Sequence, residues 1–103
     1  MDPKEIALFK LLSGEEVIAE YKTDGEFYVF KSPRKVFIAQ VGPNQFGVKL
    51  APWIVGNVNG VFPVHSAHVV TVSAEVAEEL KTGYISETTG LDLSQTVSTK
   101  IIA

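Results

Sequence analysis

The chain has 103 residues, a formal net charge of −3, 46% hydrophobic residues and no cysteine. This length accommodates one domain with one core, and the lack of cysteine excludes disulfides, thiolate metal ligands and cysteine nucleophiles. No apolar run in the sequence approaches the ~20 residues of a membrane helix, so we expect a cytoplasmic protein without membrane contact.

The negative charge is concentrated towards the C-terminus. Residues 1–73 carry seven basic and seven acidic side chains, whereas residues 74–103 carry two basic and five acidic ones. A neutral body with an acidic end is a poor general phosphate binder. Any nucleic-acid role therefore requires a local basic patch.

Short apolar or alternating segments, separated by turn residues, fill the first seventy positions. Ser13-Gly14, Asp24-Gly25 and Gly42-Pro43-Asn44 are typical of hairpin turns, because these residues tolerate tight backbone geometry. Ser32-Pro33 is expected to end a strand, and Pro63 indicates an edge strand or a bulge, since proline donates no ladder hydrogen bond. The predicted strands are residues 6–12, 15–22, 26–31, 36–41 and 46–53, and residues 61–64 and 67–72 supply the last strand material.

The hydrophobic period changes after the last strand. Ser73 is a suitable N-cap, Glu75 favours the start of a helix, and Val76, Ala77 and Leu80 form an apolar stripe. These residues predict one short helix of about ten residues, which a following glycine ends.

Five or six strands with short loops and one helix favour an all-β fold. The most economical arrangement is a small, strongly bent, five-stranded antiparallel barrel with a short C-terminal helix. Residues 1–83 form this single domain, with Gly83 as the end of the helix. Residues 84–103 are expected to be a tail that is mobile or ordered only against a neighbour.

Motifs for catalysis and metal binding are missing from the sequence. It contains no phosphate-binding glycine loop and no zinc-protease motif. His65 and His68 are three positions apart on a predicted strand, so they are expected to point to opposite faces and not to share a metal. We expect a non-enzymatic protein with no catalytic residues, metal or cofactor.

A basic cluster lies next to two aromatic residues. Lys31, Arg34 and Lys35 place three cations within five positions, close to Phe27 and Tyr28. This combination suits single-stranded RNA, with phosphates on the cations and bases on the rings. The alternative is that the cations form a charged loop and the rings belong to the core.

Two stretches of the sequence resemble motifs of the Sm and Sm-like (LSm) family. Residues 8–21 are similar to the first motif, in which an apolar strand, a turn glycine and a strand with a small residue follow one another. Residues 64–72 are similar to the second motif, an Ile-Arg-Gly tripeptide that leads into an apolar final strand. The matching positions are Gly14 and Ala19 in the first stretch and Val64, His65 and Ser66 in the second.

The resemblance is to the small Sm-like proteins of cyanobacterial phages in particular, which implies a location in the host cytoplasm. It implies a five-stranded bent sheet, assembled into a homo-oligomeric ring of about five to seven subunits by pairing between edge strands. It also implies binding of single-stranded RNA. The family's asparagine is missing from the loop before Phe27, and its arginine is replaced by His65, so guanidinium contacts are lost.

Two functions follow from these residues. The first is a ring-forming scaffold that binds RNA, and the second is a structural or protein-interaction ring that binds no nucleic acid. In the second case, the acidic helix or tail would meet a partner protein. The candidate RNA-binding residues are Phe27, Tyr28, Lys31, Arg34, Lys35 and His65.

Overall fold

The computed structural model describes residues 5–89, which form six strands and one α-helix. Two 3-10 turns, Val55–Asn57 and Ser66–His68, lie between strands. The predicted all-β fold with a short C-terminal helix is confirmed, and no helix in this range is long and apolar enough to cross a membrane. The elements are β1 Ile6–Leu11, β2 Glu16–Asp24, β3 Phe27–Gly42, β4 Gln45–Pro52, β5 Val61–His65, β6 Val69–Ser73 and α1 Glu78–Thr89.

The strands form one antiparallel sheet in the order β4-β3-β2-β1-β6, with β5 also paired to β3. Within the described range, β6 at one end does not pair with β4 or β5 at the other. The sheet is therefore open, and the expected closure into a barrel within one copy is not observed. The sheet has six strands instead of the expected five, because the last strand material divides into β5, which pairs with β3, and β6, which pairs with β1.

Ser32 and Pro33 bend β3 instead of ending it. The predicted strands 26–31 and 36–41 are one strand of 16 residues, and Ser32 has a positive φ of 52° at the bend. At this point β3 changes partner from β5 to β4, and its register with β2 also shifts. Because the ladder is interrupted there, the missing N–H of Pro33 leaves no gap in it.

The predicted turns are confirmed at the residues that require left-handed backbone. Gly14 and Gly25 have φ angles of 95° and 61°, and Asn44 has a φ angle of 58°. Glycine adopts these angles without steric cost, and asparagine adopts them more readily than most residues. The three hairpins of β1 to β4 therefore follow directly from local sequence.

Alternate side chains of β1 and β2 enter two separate hydrophobic clusters. Phe9 and Val17 belong to the first cluster, which also contains Phe30. Ile18, the neighbour of Val17, belongs to the second cluster, which α1 covers with Tyr84. Because successive strand residues point to opposite faces, the two clusters lie on opposite faces of the sheet.

Helix α1 begins and ends later than predicted. It starts at Glu78 and continues through Gly83 to Thr89, so six residues of the expected tail are helical. Glycine lowers helix stability by about 1 kcal/mol relative to alanine, which contacts made further along the helix can offset. Tyr84 and Glu87 make such contacts with the sheet. The rest of the expected tail, residues 90–103, lies outside the described residues.

Candidate functional site

Two of the predicted RNA-binding residues lie side by side at one edge of the sheet. Phe27 and His65 are register partners on β3 and β5, and their ring centroids are 5.2 Å apart in an edge-to-face arrangement. Phe27 is 43% exposed, and the His65 side chain is 39% exposed. The fold therefore presents an aromatic ring and an imidazole together at an accessible position.

Hydrogen bonds on both sides fix the ring of His65. Its Nδ1 accepts a hydrogen bond from the Ala67 N–H at 3.0 Å, so the ring hydrogen lies on Nε2, which donates to Glu26 Oε1 at 3.0 Å. The imidazole thereby caps the 3-10 turn at Ser66–His68. A negatively charged carboxylate occupies the position next to His65 where the family resemblance implies RNA.

The same turn corrects the prediction for the two histidines. Because a 3-10 turn and not a continuous strand joins them, His65 and His68 lie on the same side, with ring centroids 6.3 Å apart. Across the described part of the chain, no three His, Cys, Asp or Glu side chains converge as metal ligands.

A cleft of about 530 Å³ adjoins the Phe27–His65 pair. Its lining is mainly apolar and includes Trp53, while neither lysine nor arginine contributes to it. Trp53 Nε1–H donates to Glu15 Oε1 at 3.3 Å, which anchors the indole to the turn between β1 and β2. The cleft therefore offers aromatic rings on which bases could stack, but its carboxylate, Glu15, does not attract phosphate.

Tyr28 belongs to the core side of β3. Its ring centroid lies 5.4 Å from that of Phe9 and 6.2 Å from that of Tyr21, and it packs against the first hydrophobic cluster. Since Phe27 and Tyr28 are successive strand residues, they point to opposite faces. Of these two aromatic candidates, Phe27 is the one at the surface.

The two exposed cations of the basic cluster lie on opposite sides of the bend in β3. Lys31 lines a small groove of about 270 Å³ together with Lys22, whereas Lys35 lines a different groove with Lys10. Each groove is also lined by glutamate: Glu20 in the first groove, and Glu15 and Glu16 in the second. Lys31 and Lys35 therefore do not form one continuous track for a phosphate backbone.

Arg34, the third cation of the cluster, is buried, with 2% of its surface exposed. Its Nε donates to Glu87 Oε1 at 2.6 Å, which ties the end of α1 to the bend. The other guanidinium nitrogens have protein acceptors as well, so the group has little to offer a phosphate, and we leave it out of the RNA interface proposed below. These acceptors are Ser32 O, Pro33 O, Val58 O and Asn59 Oδ1.

Tyr84 provides a second link between α1 and the sheet. Its hydroxyl accepts a hydrogen bond from the Glu20 N–H and donates one to Lys31 O, both at 2.9 Å. Burial raises the pKa of Tyr84 from 10.0 to about 12. The sequence does not indicate Tyr84 and Glu87 as contacts of the sheet, because both follow Gly83, the predicted end of the helix.

Among residues 5–89, the outer edge of β5 carries main-chain groups that pair with no other strand. The Ser32 N–H donates to Gly60 O and the Ser66 N–H donates to Glu26 O. Since hydrogen-bonded pairs alternate along an antiparallel ladder, the main-chain groups of Val61, Pro63 and His65 point away from β3. Pro63 therefore interrupts no bond, and the prediction that it marks an edge strand is confirmed.

The edge of β6 is also free within the described residues, since β6 pairs with β1 alone. Its sequence, VVTVS, contains no charge and no proline, and Val70 is 59% exposed. Charged residues and proline usually prevent edge strands from pairing with other chains, and β6 has neither.

Comparison with known proteins identifies no relative of this chain, because no family model and no curated protein matches it.

Proposed function

We propose that this protein is a non-enzymatic subunit of a homo-oligomeric ring of the Sm-like type. The observation that carries the proposal is the open sheet, whose edges within the described residues are β6 on one side and β4 and β5 on the other. The strands β5 and β6 have five residues each. Strand addition between copies would satisfy the unpaired main-chain groups of both edges.

The two free edges differ from each other, and this difference favours a ring. A contact between β6 of one copy and β5 of the next uses two distinct surfaces, so every copy keeps one free edge of each kind. Such head-to-tail contacts produce a closed ring when the rotation between copies closes. The family resemblance implies about five to seven subunits.

Removal of one outward N–H from β5 tests this contact. Val61 is 57% exposed, and its N–H points away from β3, so proline removes the donor at little expense to the core. We expect Val61→Pro to lower the native mass to that of a single copy, and Val61→Thr, which keeps the N–H, to retain the ring. Light scattering or native mass spectrometry measures both.

The masses decide the proposal directly. A wild-type protein of five to seven copies, together with a smaller Val61→Pro variant, supports strand addition at β5. A wild-type monomer at all concentrations contradicts the ring, and an intact ring in Val61→Pro excludes β5 as the contact. Circular dichroism of each variant establishes that its sheet is formed.

Binding of single-stranded RNA by the ring is a second proposed activity, supported by the exposed Phe27–His65 pair beside the cleft. A ring repeats this pair once in every copy, so weak stacking contacts add up along one strand. Lys31 is exposed, and it is the cation of the basic cluster that lies closest to Phe27 along β3. Glu26, which contacts His65, opposes phosphate at this position.

Fluorescence anisotropy with labelled U-rich and A-rich oligonucleotides at low salt tests this activity. We expect binding that weakens as salt rises and that falls about tenfold when Phe27 is replaced by alanine, which corresponds to the loss of one stacked base. Phe37→Ala is the matched control, because its ring is 38% exposed but lies beyond the bend. A ring that binds neither oligonucleotide supports instead the structural or protein-interaction scaffold.

A further inference from the structure

We infer that the hairpin of β3 and β4 is a second contact surface between copies of this chain, separate from the sheet edges. The inference rests on the proposed ring and adds to it a contact made by side chains. The hairpin surface consists of the side chains of Ile38 on β3 and of Phe46 and Val48 on β4.

The hairpin extends beyond the rest of the sheet. The ladder between β2 and β3 ends at Val36, so residues 37–42 of β3 pair with β4 alone. A two-stranded ribbon in water is marginally stable by itself, and packing of one face against another surface stabilises it. A partner packed against one face of the ribbon would therefore stabilise it.

The side chains of the hairpin surface share one face of this ribbon. Ile38 is opposite Val48, and Phe46 is opposite Gln40, two residues further along β3. Ile38, Phe46 and Val48 are 73%, 68% and 57% exposed. Val36 and Leu50, one step back on the same face, pack into the cluster under α1, so the surface continues an existing core.

The lack of charge within the hairpin itself favours a second copy as its partner. Residues 36–48 contain no Asp, Glu, Lys, Arg or His. Contacts between identical chains place like charges near each other when a surface is charged, and this surface has none to repel. The groove that Ile38 and Val48 line is bordered by side chains of both signs, Lys10 and Lys35 with Glu15 and Glu16, so it presents no patch of a single charge to a charged partner.

The size of the hairpin surface explains why it would act together with the edges. From the exposed fractions, its three side chains present on the order of 400 Å², about half of what each partner contributes to a stable interface. Such a contact is too small to hold two free copies together. When copies are already joined through β5 and β6, the same contact becomes intramolecular and strengthens the assembly.

The test compares two double variants that each replace two well-exposed apolar side chains by serine. Ile38→Ser combined with Phe46→Ser alters the hairpin, and Leu12→Ser combined with Val55→Ser alters residues that are 66% and 79% exposed elsewhere. Analytical ultracentrifugation over a dilution series gives the mass and the concentration at which each assembly dissociates. Circular dichroism verifies folding.

We expect the hairpin variant to dissociate at a concentration at least tenfold higher than wild type, and the control variant to match wild type. If the hairpin variant forms an intact ring with half the mass of wild type, this result would also support the inference. It would show that two rings of wild type pack together through the hairpins. Unchanged mass and dissociation in the hairpin variant overturn the inference and leave the ring standing. A monomeric wild type overturns both the hairpin contact and the ring. If wild type is a dimer, and the dimer is lost in the hairpin variant but kept in Val61→Pro, only the ring is overturned.

Discussion

Replacement of Tyr84 by phenylalanine removes one oxygen atom from the contact between α1 and the sheet. That oxygen joins the Glu20 N–H to Lys31 O at the point where the β2–β3 register shifts. The tyrosine hydroxyl bridges these two main-chain groups, which belong to register partners on β2 and β3. The phenylalanine ring would fill the same space without making either hydrogen bond.

The magnitude follows from these two bonds. A hydrogen bond within a protein contributes about 1 kcal/mol net, and a buried group left unpaired loses about 1–3 kcal/mol. Tyr84 is 2% exposed, so water does not replace its hydroxyl easily. We expect Tyr84→Phe to lower the free energy of unfolding by about 2–4 kcal/mol, and the melting temperature by roughly 10–20 °C.

Urea unfolding followed by Trp53 fluorescence measures this change, at one fixed subunit concentration because assembly affects apparent stability. Tyr21→Phe is the matched control, since the Tyr21 hydroxyl has no hydrogen-bond partner among the described residues and its ring packs against Phe9. A loss below about 0.5 kcal/mol in Tyr84→Phe, the usual scatter of surface substitutions, would refute the bridging role.

The raised pKa of Tyr84 adds a pH dependence to the same experiment. Between pH 10 and pH 12 the unfolded chain loses the phenolic proton while the folded chain keeps it. Folding therefore becomes less favourable as pH rises through this range, by up to about 2–3 kcal/mol for this group. The stability advantage of wild type over Tyr84→Phe should be complete below pH 10 and shrink towards pH 12. A constant difference would contradict the assigned cause.

Two further substitutions test α1 and the bend. Arg34→Lys keeps one charge but cannot reach all the acceptors of the guanidinium, so we expect a loss of about 3 kcal/mol in the free energy of unfolding, measured by urea titration; a loss no larger than that of Lys35→Arg would contradict this role. Gly83→Ala should raise the melting temperature, because the added Cβ meets no atom within 4 Å and alanine stabilises a helix interior by about 1 kcal/mol; a lower melting temperature would contradict the helical assignment.

Local sequence was sufficient where one residue type satisfies one backbone requirement. Gly14 and Gly25 mark turns that need positive φ, and Pro63 marks a strand with a free edge, so these features were predictable. Ser32-Pro33 was misread, because the cost of a proline in a strand depends on whether its neighbours require its N–H. That requirement is a property of the sheet and not of the dipeptide.

The candidate site was predictable only in part. The pairing of Phe27 with His65 follows from the order of the strands, so the residues named from the sequence meet in the fold. The sequence places Lys31, Arg34 and Lys35 together, but the bend in β3 separates the two lysines and buries the arginine. Proximity along a chain predicts a joint surface only when the backbone between the residues is straight.

The sequence by itself determined the mainly β fold, its turns and the presence of a C-terminal helix, because hydrophobic period and turn residues act over a few positions. Tertiary structure alone decided where the helix ends and what Arg34 does. Tyr84 and Glu87 find partners more than fifty residues away in the chain, and those contacts outweigh the local preference of Gly83. The open edge of β6, which no residue of its sequence marks, likewise arises from the arrangement of whole strands, since a strand becomes an edge only through the absence of a neighbour.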